Sequence, residues 1–186
     1  KNYPVLVDSI ESDDGILGAN DHVVELDLGG HNSGAIVDTD DNVANGGEEI
    51  WMWGRNDEGQ IGDGSTDNEL SPVLIDSFDI DYGNNGDDSD DIIGSGDHVV
   101  DLALGSGHSG AIVDTDDDAS NGGEELWMWG KNNYGQLGDG SEANRAIPVL
   151  IDDVNSDGGV LSSGEHVIDK SLSSVGSNKY FSLIVL

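Results

Sequence analysis

The stretch from Glu48 to Gly64, EEIWMWGRNDEGQIGDG, returns almost unchanged from Glu124 to Gly140 as EELWMWGKNNYGQLGDG. A chain that repeats a segment this closely folds as a series of like units, each burying a face against its neighbour. The offset is constant, because Asp38 and Asp114, Trp51 and Trp127, and Pro72 and Pro148 are all 76 residues apart. All 4 tryptophans lie in the two copies, so the largest apolar side chains belong to the repeat.

Four short segments recur in each unit. The first opens at His22 or His98 and carries Val23, Leu26 and Leu28, or Val99, Leu102 and Leu104. The second is the small-residue run Ser33 to Val37 or Ser109 to Val113. The third, Ile50 to Trp53 or Leu126 to Trp129, is large and apolar at every position, which predicts a strand buried on both faces. The fourth, Pro72 to Ile75 or Pro148 to Ile151, is led by a proline that suits the first residue of an outer strand. Glycines after the third segment predict tight turns with positive φ rather than a phosphate cradle, since no helical period follows them.

These patterns predict an all-β protein built of β-propeller blades, each of four antiparallel strands. The expected organisation is a single propeller segment over 1–186. Residues 4–7 supply the last strand of a preceding blade, 22–75 and 98–151 form two complete blades, and 166–186 form the first two strands of a third. Two and a half blades cannot close a ring, so the exposed ends are expected to meet further sequence or other chains. The edges expected to dock are Pro4 to Val7 and Tyr180 to Leu186.

Charge narrows the partners. There are 39 Asp and Glu against 6 Lys and Arg, a formal net charge of −33, and such a surface repels nucleic acid and anionic membranes. No apolar run approaches the roughly 18 residues of a membrane span, and no charged-then-apolar signal opens the chain. Lys1 at the start reads as a processed chain or an excerpt. With 0 cysteines, disulfides, thiolate metal sites and a cysteine nucleophile are excluded. The acids are interrupted regularly by patterned apolar segments, which argues against disorder. Self-repulsion of this size calls for screening salt or bound cations.

The acidic turn between the second and third segments points to cations. From Asp38, hard oxygen donors fall at offsets one, three, five and twelve: Asp38, Asp40, Asn42 and Glu49, with the Ala44 carbonyl at seven. The copy repeats them as Asp114, Asp116, Asp118 and Glu125, with Ser120 at seven. Helix-loop-helix calcium loops use these offsets, and calcium takes about six to eight oxygen ligands. Here Val43 and Ala119 replace the usual sixth-position glycine and the flanks read as strands, so the expected site is a hairpin wrapping Ca2+. The competing reading is a polar hairpin tip, for which Asp, Asn and Gly are ordinary residues. A third candidate is Asp153, Asn155 and Asp157, where Gly158 does occupy the sixth position. Magnesium, which keeps its waters, is disfavoured.

No catalytic set stands out. His22, His98 and His166 share one repeated position and read as structural, and carboxylates are too numerous to single out an acid–base pair. The chain reads as a non-enzyme.

Residues 126–140, LWMWGKNNYGQLGDG, and 105–113, GSGHSGAIV, resemble the regulator of chromosome condensation repeat. The resemblance implies a propeller, seven-bladed in the best-known members, with blades completed by strands from both chain ends. It also implies that His31 and His108 are the family's structural histidine. The founding member is an exchange factor for a small nuclear GTPase and binds chromatin, while other relatives are inhibitors or surface modules. The acidity, the period and the acidic turns depart from that founder and disfavour chromatin. The function expected is therefore a non-catalytic, calcium-binding structural or adhesive propeller module, from a divergent, acidic, extracellular or cell-surface prokaryotic member. Its expected partners are copies of itself, the missing blades of the same polypeptide, or another protein, with no nucleic acid and no membrane insertion. The alternative is a protein-binding propeller that regulates or inhibits an enzyme or GTPase.

Overall fold

A computed structural model describes residues 21–39, 48–75, 97–114 and 124–152, together with the backbone of two strands at 167–172 and 181–185. The apolar alternation of the first unit becomes β1 (His22–Leu28), β2 (Asn32–Asp38), β3 (Glu48–Gly54) and β4 (Glu69–Leu74), an antiparallel sheet in that order. The second unit gives β5 (His98–Leu104), β6 (His108–Asp114), β7 (Glu124–Gly130) and β8 (Arg145–Asp152), arranged identically. β9 (Val167–Leu172) and β10 (Phe181–Val185) pair antiparallel as the start of another such sheet. The described residues contain no helix, and each four-stranded meander is a propeller blade.

The second strands are built of small residues because their neighbours come close. A Cβ on Gly34 would stand 2.6 Å from Met52 Sδ and 2.7 Å from a Leu102 methyl, so the strand can carry only hydrogen where the methionine crosses it. The main core lies between the blades. Leu102, Leu104 and Val99 of β5 and Trp129 of β7 pack with Ile36, Ile50, Met52, Ile61 and Ile75 of the first unit. Blade-to-blade contact is thus where most of the apolar burial occurs, as expected of a repeat whose units cannot bury their faces alone.

Two expectations change in detail. β3 and β7 are not buried on both faces: Ile50 and Met52 are buried, while Trp51 is half-exposed and donates its indole N–H to Glu49 Oε2 at 2.8 Å. Trp127 does the same to Glu125 at 3.1 Å. An aromatic with one polar edge can lie against the sheet surface while its N–H finds a carboxylate. Pro72 and Pro148 sit inside β4 and β8 instead of leading them. Both strands are sheet edges, and the pairing with β3 and β7 shifts register there, so the missing N–H breaks no ladder bond.

The turn after each tryptophan strand is held by one buried asparagine. Asn56 Nδ2 donates to Asp63 Oδ1 at 2.9 Å and to the Ser65 carbonyl and hydroxyl at 3.2 Å each, while its Oδ1 accepts the Ile61 N–H at 2.8 Å. Asn132 repeats the set with Asp139, Ser141 and Leu137. Gly59 and Gly62 have φ of +79° and +94°, which only glycine adopts without strain, so the loop can curl tightly around the amide.

In the second copy the aspartate gains a cation, because Arg145 replaces Glu69 at the equivalent position and donates Nε to Asp139 Oδ2 at 2.6 Å. Burial alone would raise the Asp139 pKa, but the Ser141 N–H, Arg145, the Ser141 hydroxyl and Asn132 together lower it from 3.8 to about 2. A carboxylate whose folded pKa lies below its unfolded value stabilises the fold fully above pH 4 or so and loses that contribution as pH falls towards 2. Asp139→Asn is therefore expected to destabilise the chain by roughly 1–2 kcal/mol at pH 7. Its difference from the parent chain in denaturant melts should shrink steadily below pH 4; a constant gap at every pH would remove the ionic explanation.

Candidate functional site

Two surfaces carry the chemistry. The first is the mouth of each β2–β3 and β6–β7 hairpin. Antiparallel pairing places Asp38 directly opposite Glu48, and Asp114 directly opposite Glu124, as the last paired residues before the acidic turn. All four carboxylates are buried. Residues directly opposite each other share a face of the sheet, so each pair presents two carboxylates to one side. His98 Nδ1 lies 3.3 Å from Glu48 Oε1, tying this mouth to the start of the next blade, and Glu48 Oε2 is buried with no hydrogen-bond partner.

Of the sequence-predicted ligands, Asp38 and Asp114 stand at the hairpin mouths, while Glu49 and Glu125 lie one residue beyond the paired acids. Successive residues of a strand point to opposite faces, so Glu49 is turned away from Asp38 and towards Trp51. The acid in register with Asp38 is Glu48, which counting along the turn had passed over; counting pairs back across the hairpin would have found it. Asp40, Asn42, Ala44, Asp116, Asp118, Ser120, Asp153, Asn155 and Asp157 lie outside the described residues. Among the described residues no group of three or more His, Asp or Glu is gathered tightly enough to hold a metal ion unaided.

The second surface is the face one blade offers the next. The turn of the first blade plugs into the second: Trp129 Nε1 donates to the Gln60 and Ile61 carbonyls at 3.1 Å each, and Ser109 Oγ donates to the Gln60 carbonyl at 2.8 Å. Glu58 accepts from Lys131 Nζ and Asn144 Nδ2, both at 2.8 Å. Gly59 lies so close that an added Cβ would stand 2.7 Å from Ala146 Cα. The corresponding face of the first blade is open, forming a groove of about 450 Å3 lined by residues that include His31, Gly54, Arg55, Asn68 and Leu70. His31 and His108 do not share a role. Asn32 and His108 hold the same paired position, opposite Gly54 and Gly130, and both are buried, whereas His31 is exposed on the open face.

Tryptophan-led blades interlocked by a glycine-rich turn define a repeat-built propeller. Residues 48–112 and 124–167, more than half of the chain, match the regulator of chromosome condensation (RCC1) repeat, and the chain belongs to that family. It is 37% identical over 103 residues to the E3 ubiquitin-protein ligase HERC2 of Homo sapiens, covering 55% of this chain and 2% of that protein. It is 30% identical over 103 residues to the ultraviolet-B receptor UVR8 of Arabidopsis thaliana, covering 55% of this chain and 18% of the receptor. Identity to Alsin of Rattus norvegicus is 31% over 114 residues, 61% of this chain and 5% of Alsin. The chain thus spans less than a fifth of each of these relatives. The crystal structure of human WBSCR16 aligns with a TM-score of 0.45 and 21% identity, over 70% of this chain and 26% of that one. RCC1-repeat propellers generally serve as interaction modules and not as catalytic centres.

Proposed function

We propose that this chain is a non-catalytic structural or adhesive propeller module of an extracellular or cell-surface protein, in which calcium clamps the hairpin between the second and third strands of each blade. The observation that carries this reading is the buried pair Asp38 and Glu48, with an oxygen of Glu48 that no donor satisfies. Two buried carboxylates side by side repel each other, and an unsatisfied buried oxygen is costly, so the mouth is built for positive charge. Carboxylate oxygens are the donors that calcium prefers, and the residues present fit it. Asp38 and Glu48, and in the copy Asp114 and Glu124, would hold the ion, joined by Asp40, Asn42 and the Ala44 carbonyl, or Asp116, Asp118 and Ser120, from the turn. Glu49 and Glu125 would orient the neighbouring tryptophans while adding negative potential. Asp153, Asn155 and Asp157 remain a candidate third site on their spacing alone. An extracellular setting supplies calcium at the millimolar level that a hairpin site of this kind uses.

The test is thermal unfolding of chelator-stripped protein during calcium titration. Binding confined to the native state adds about 2.7 kcal/mol per site at one hundred times Kd, which for a chain of this length raises Tm on the order of 5–10 °C. Asp38→Asn combined with Glu48→Gln is expected to remove about half of the rise, and magnesium to give less of it. A Tm that stays put at millimolar calcium would end the proposal. The alternative, a propeller that regulates or inhibits a partner enzyme or GTPase, draws support from the open face of the first blade and from relatives that are themselves a ligase and a receptor.

A further inference from the structure

The seam between the two complete blades is acidic at one end, and the alternation of side chains along β2 tells which way that end faces. Asn32 Nδ2 reaches Ser109 Oγ of the second blade at 3.5 Å, and a Cβ on Gly34 would stand 2.7 Å from a Leu102 methyl. Ile36 packs in the core shared with Val99 and Leu102. Alternate residues of a strand share a face, so Asp38, the next in that series, is also turned to the second blade. On β3 the series Glu48, Ile50 and Met52 does the same, since Ile50 and Met52 lie in the shared core. The paired carboxylates therefore stand at the end of the blade-to-blade core and not on an outer surface of one hairpin.

The second blade meets them with His98, the first residue of β5, whose neighbour Val99 belongs to the same core. His98 Nδ1 lies 3.3 Å from Glu48 Oε1, a contact between residues 50 positions apart. A carboxylate accepts hydrogen bonds, so Nδ1 donates. The two oxygens of Glu48 are thereby distinguished: Oε1 is held from the second blade, while Oε2 is buried and has no hydrogen-bond partner. Glu48 is 7% exposed, and a side chain fixed at one oxygen keeps the other in one place instead of sweeping through its rotamers. Asp114 and Glu124 are 3% and 7% exposed, the same as Asp38 and Glu48, so the buried pair is a property of the repeat and not of one turn.

We propose that the calcium site of the first hairpin is completed across the seam, with His98 of the following blade as a positioning residue that holds Glu48 so that Oε2 is presented to the ion beside Asp38. This rests on the calcium reading and adds to it the blade-to-blade contact that sets the affinity. Calcium takes oxygen donors, so the imidazole stays outside the coordination shell and acts through the carboxylate it holds. Outer partners of this kind are worth about 10–100-fold in metal affinity. An ion bound by a side chain that the next blade holds in place favours docked blades over separated ones, so an occupied mouth also fastens its seam.

The experiment is isothermal titration calorimetry of calcium chloride into the full 186-residue chain after chelator treatment, following the site that Asp38→Asn with Glu48→Gln abolishes. His98→Ala is expected to weaken that site by about 10-fold or more and to leave other calcium uptake as it is. His98→Asn, which keeps a neutral donor near the place of Nδ1, should restore most of the affinity. Circular dichroism in chelator checks that each variant folds. If His98→Ala does not, His98→Leu takes its place, because leucine fills the space without a donor. Unchanged affinity in the donor-free variant, or an equal loss in His98→Asn, overturns the proposal while the calcium reading stands. A parent chain that takes up no calcium overturns both, and so does calcium uptake indifferent to Asp38→Asn with Glu48→Gln, which would remove the hairpin mouth as its site.

Discussion

Replacing Trp129 by alanine is expected to lower stability by about 3–5 kcal/mol, the range for truncating a large buried aromatic. Trp129 has 0% of its surface exposed and packs in the core shared by the two blades. Its indole N–H is the donor to both the Gln60 and Ile61 carbonyls, so the substitution leaves a cavity and strips one end of the interlocking turn of its partner. For a chain of this length the loss corresponds to a fall in Tm on the order of 10 °C. The control is Trp53→Ala, the same residue in the same motif, which is half-exposed on the open face. It is expected to cost less than half as much. Equal losses at the two positions would contradict the assignment of the core to the boundary between blades.

The second large effect is expected at Asn56. Asn56→Ala removes an amide that makes three donor contacts and accepts the Ile61 N–H, leaving that buried N–H unpaired and taking one of two donors from Asp63 Oδ1, which keeps the Ser65 N–H. The orphaned N–H costs about 1–3 kcal/mol and the lost donor contacts add to it, so the total should be roughly 3–4 kcal/mol. Asn132→Ala removes the same bonds from the second turn. Asn56→Ala is nevertheless expected to be the more damaging of the two, because its turn is clamped between blades by Trp129, Ser109 and Lys131, and disorder there spreads into the shared core. Chemical denaturation of both variants checks the order. Asn56→Asp should not rescue, since it sets a second carboxylate against Asp63.

Much of this architecture was legible in the residues. Strand positions followed from apolar alternation and glycine punctuation, and the turn could be read as a tight connection because Gly59 and Gly62 stand where φ is positive. The asparagine staple was hidden within that turn, since nothing in the string Gly-Arg-Asn-Asp tells which polar residue is buried. At the hairpin mouth, counting along the acidic turn does not tell which acid faces Asp38 or Asp114; that is set by pairing across the hairpin, and there parity selects Glu48 and Glu124. His31 and His108 were matched by residue type, although position aligns His108 with Asn32.

What the amino-acid order alone determined was therefore everything local: the repeat, the strands, the tight turns and the surplus of negative charge, all of which arise from interactions between residues close in the chain. What only the tertiary structure decided was the fate of identical residues. Leu28 and Leu104, or Trp53 and Trp129, have near-identical sequence neighbours and opposite surroundings. Burial belongs to a residue's partners in space: Leu104 and Trp129 pack in the core shared with the first blade, while Leu28 and Trp53 have no such cover among the described residues.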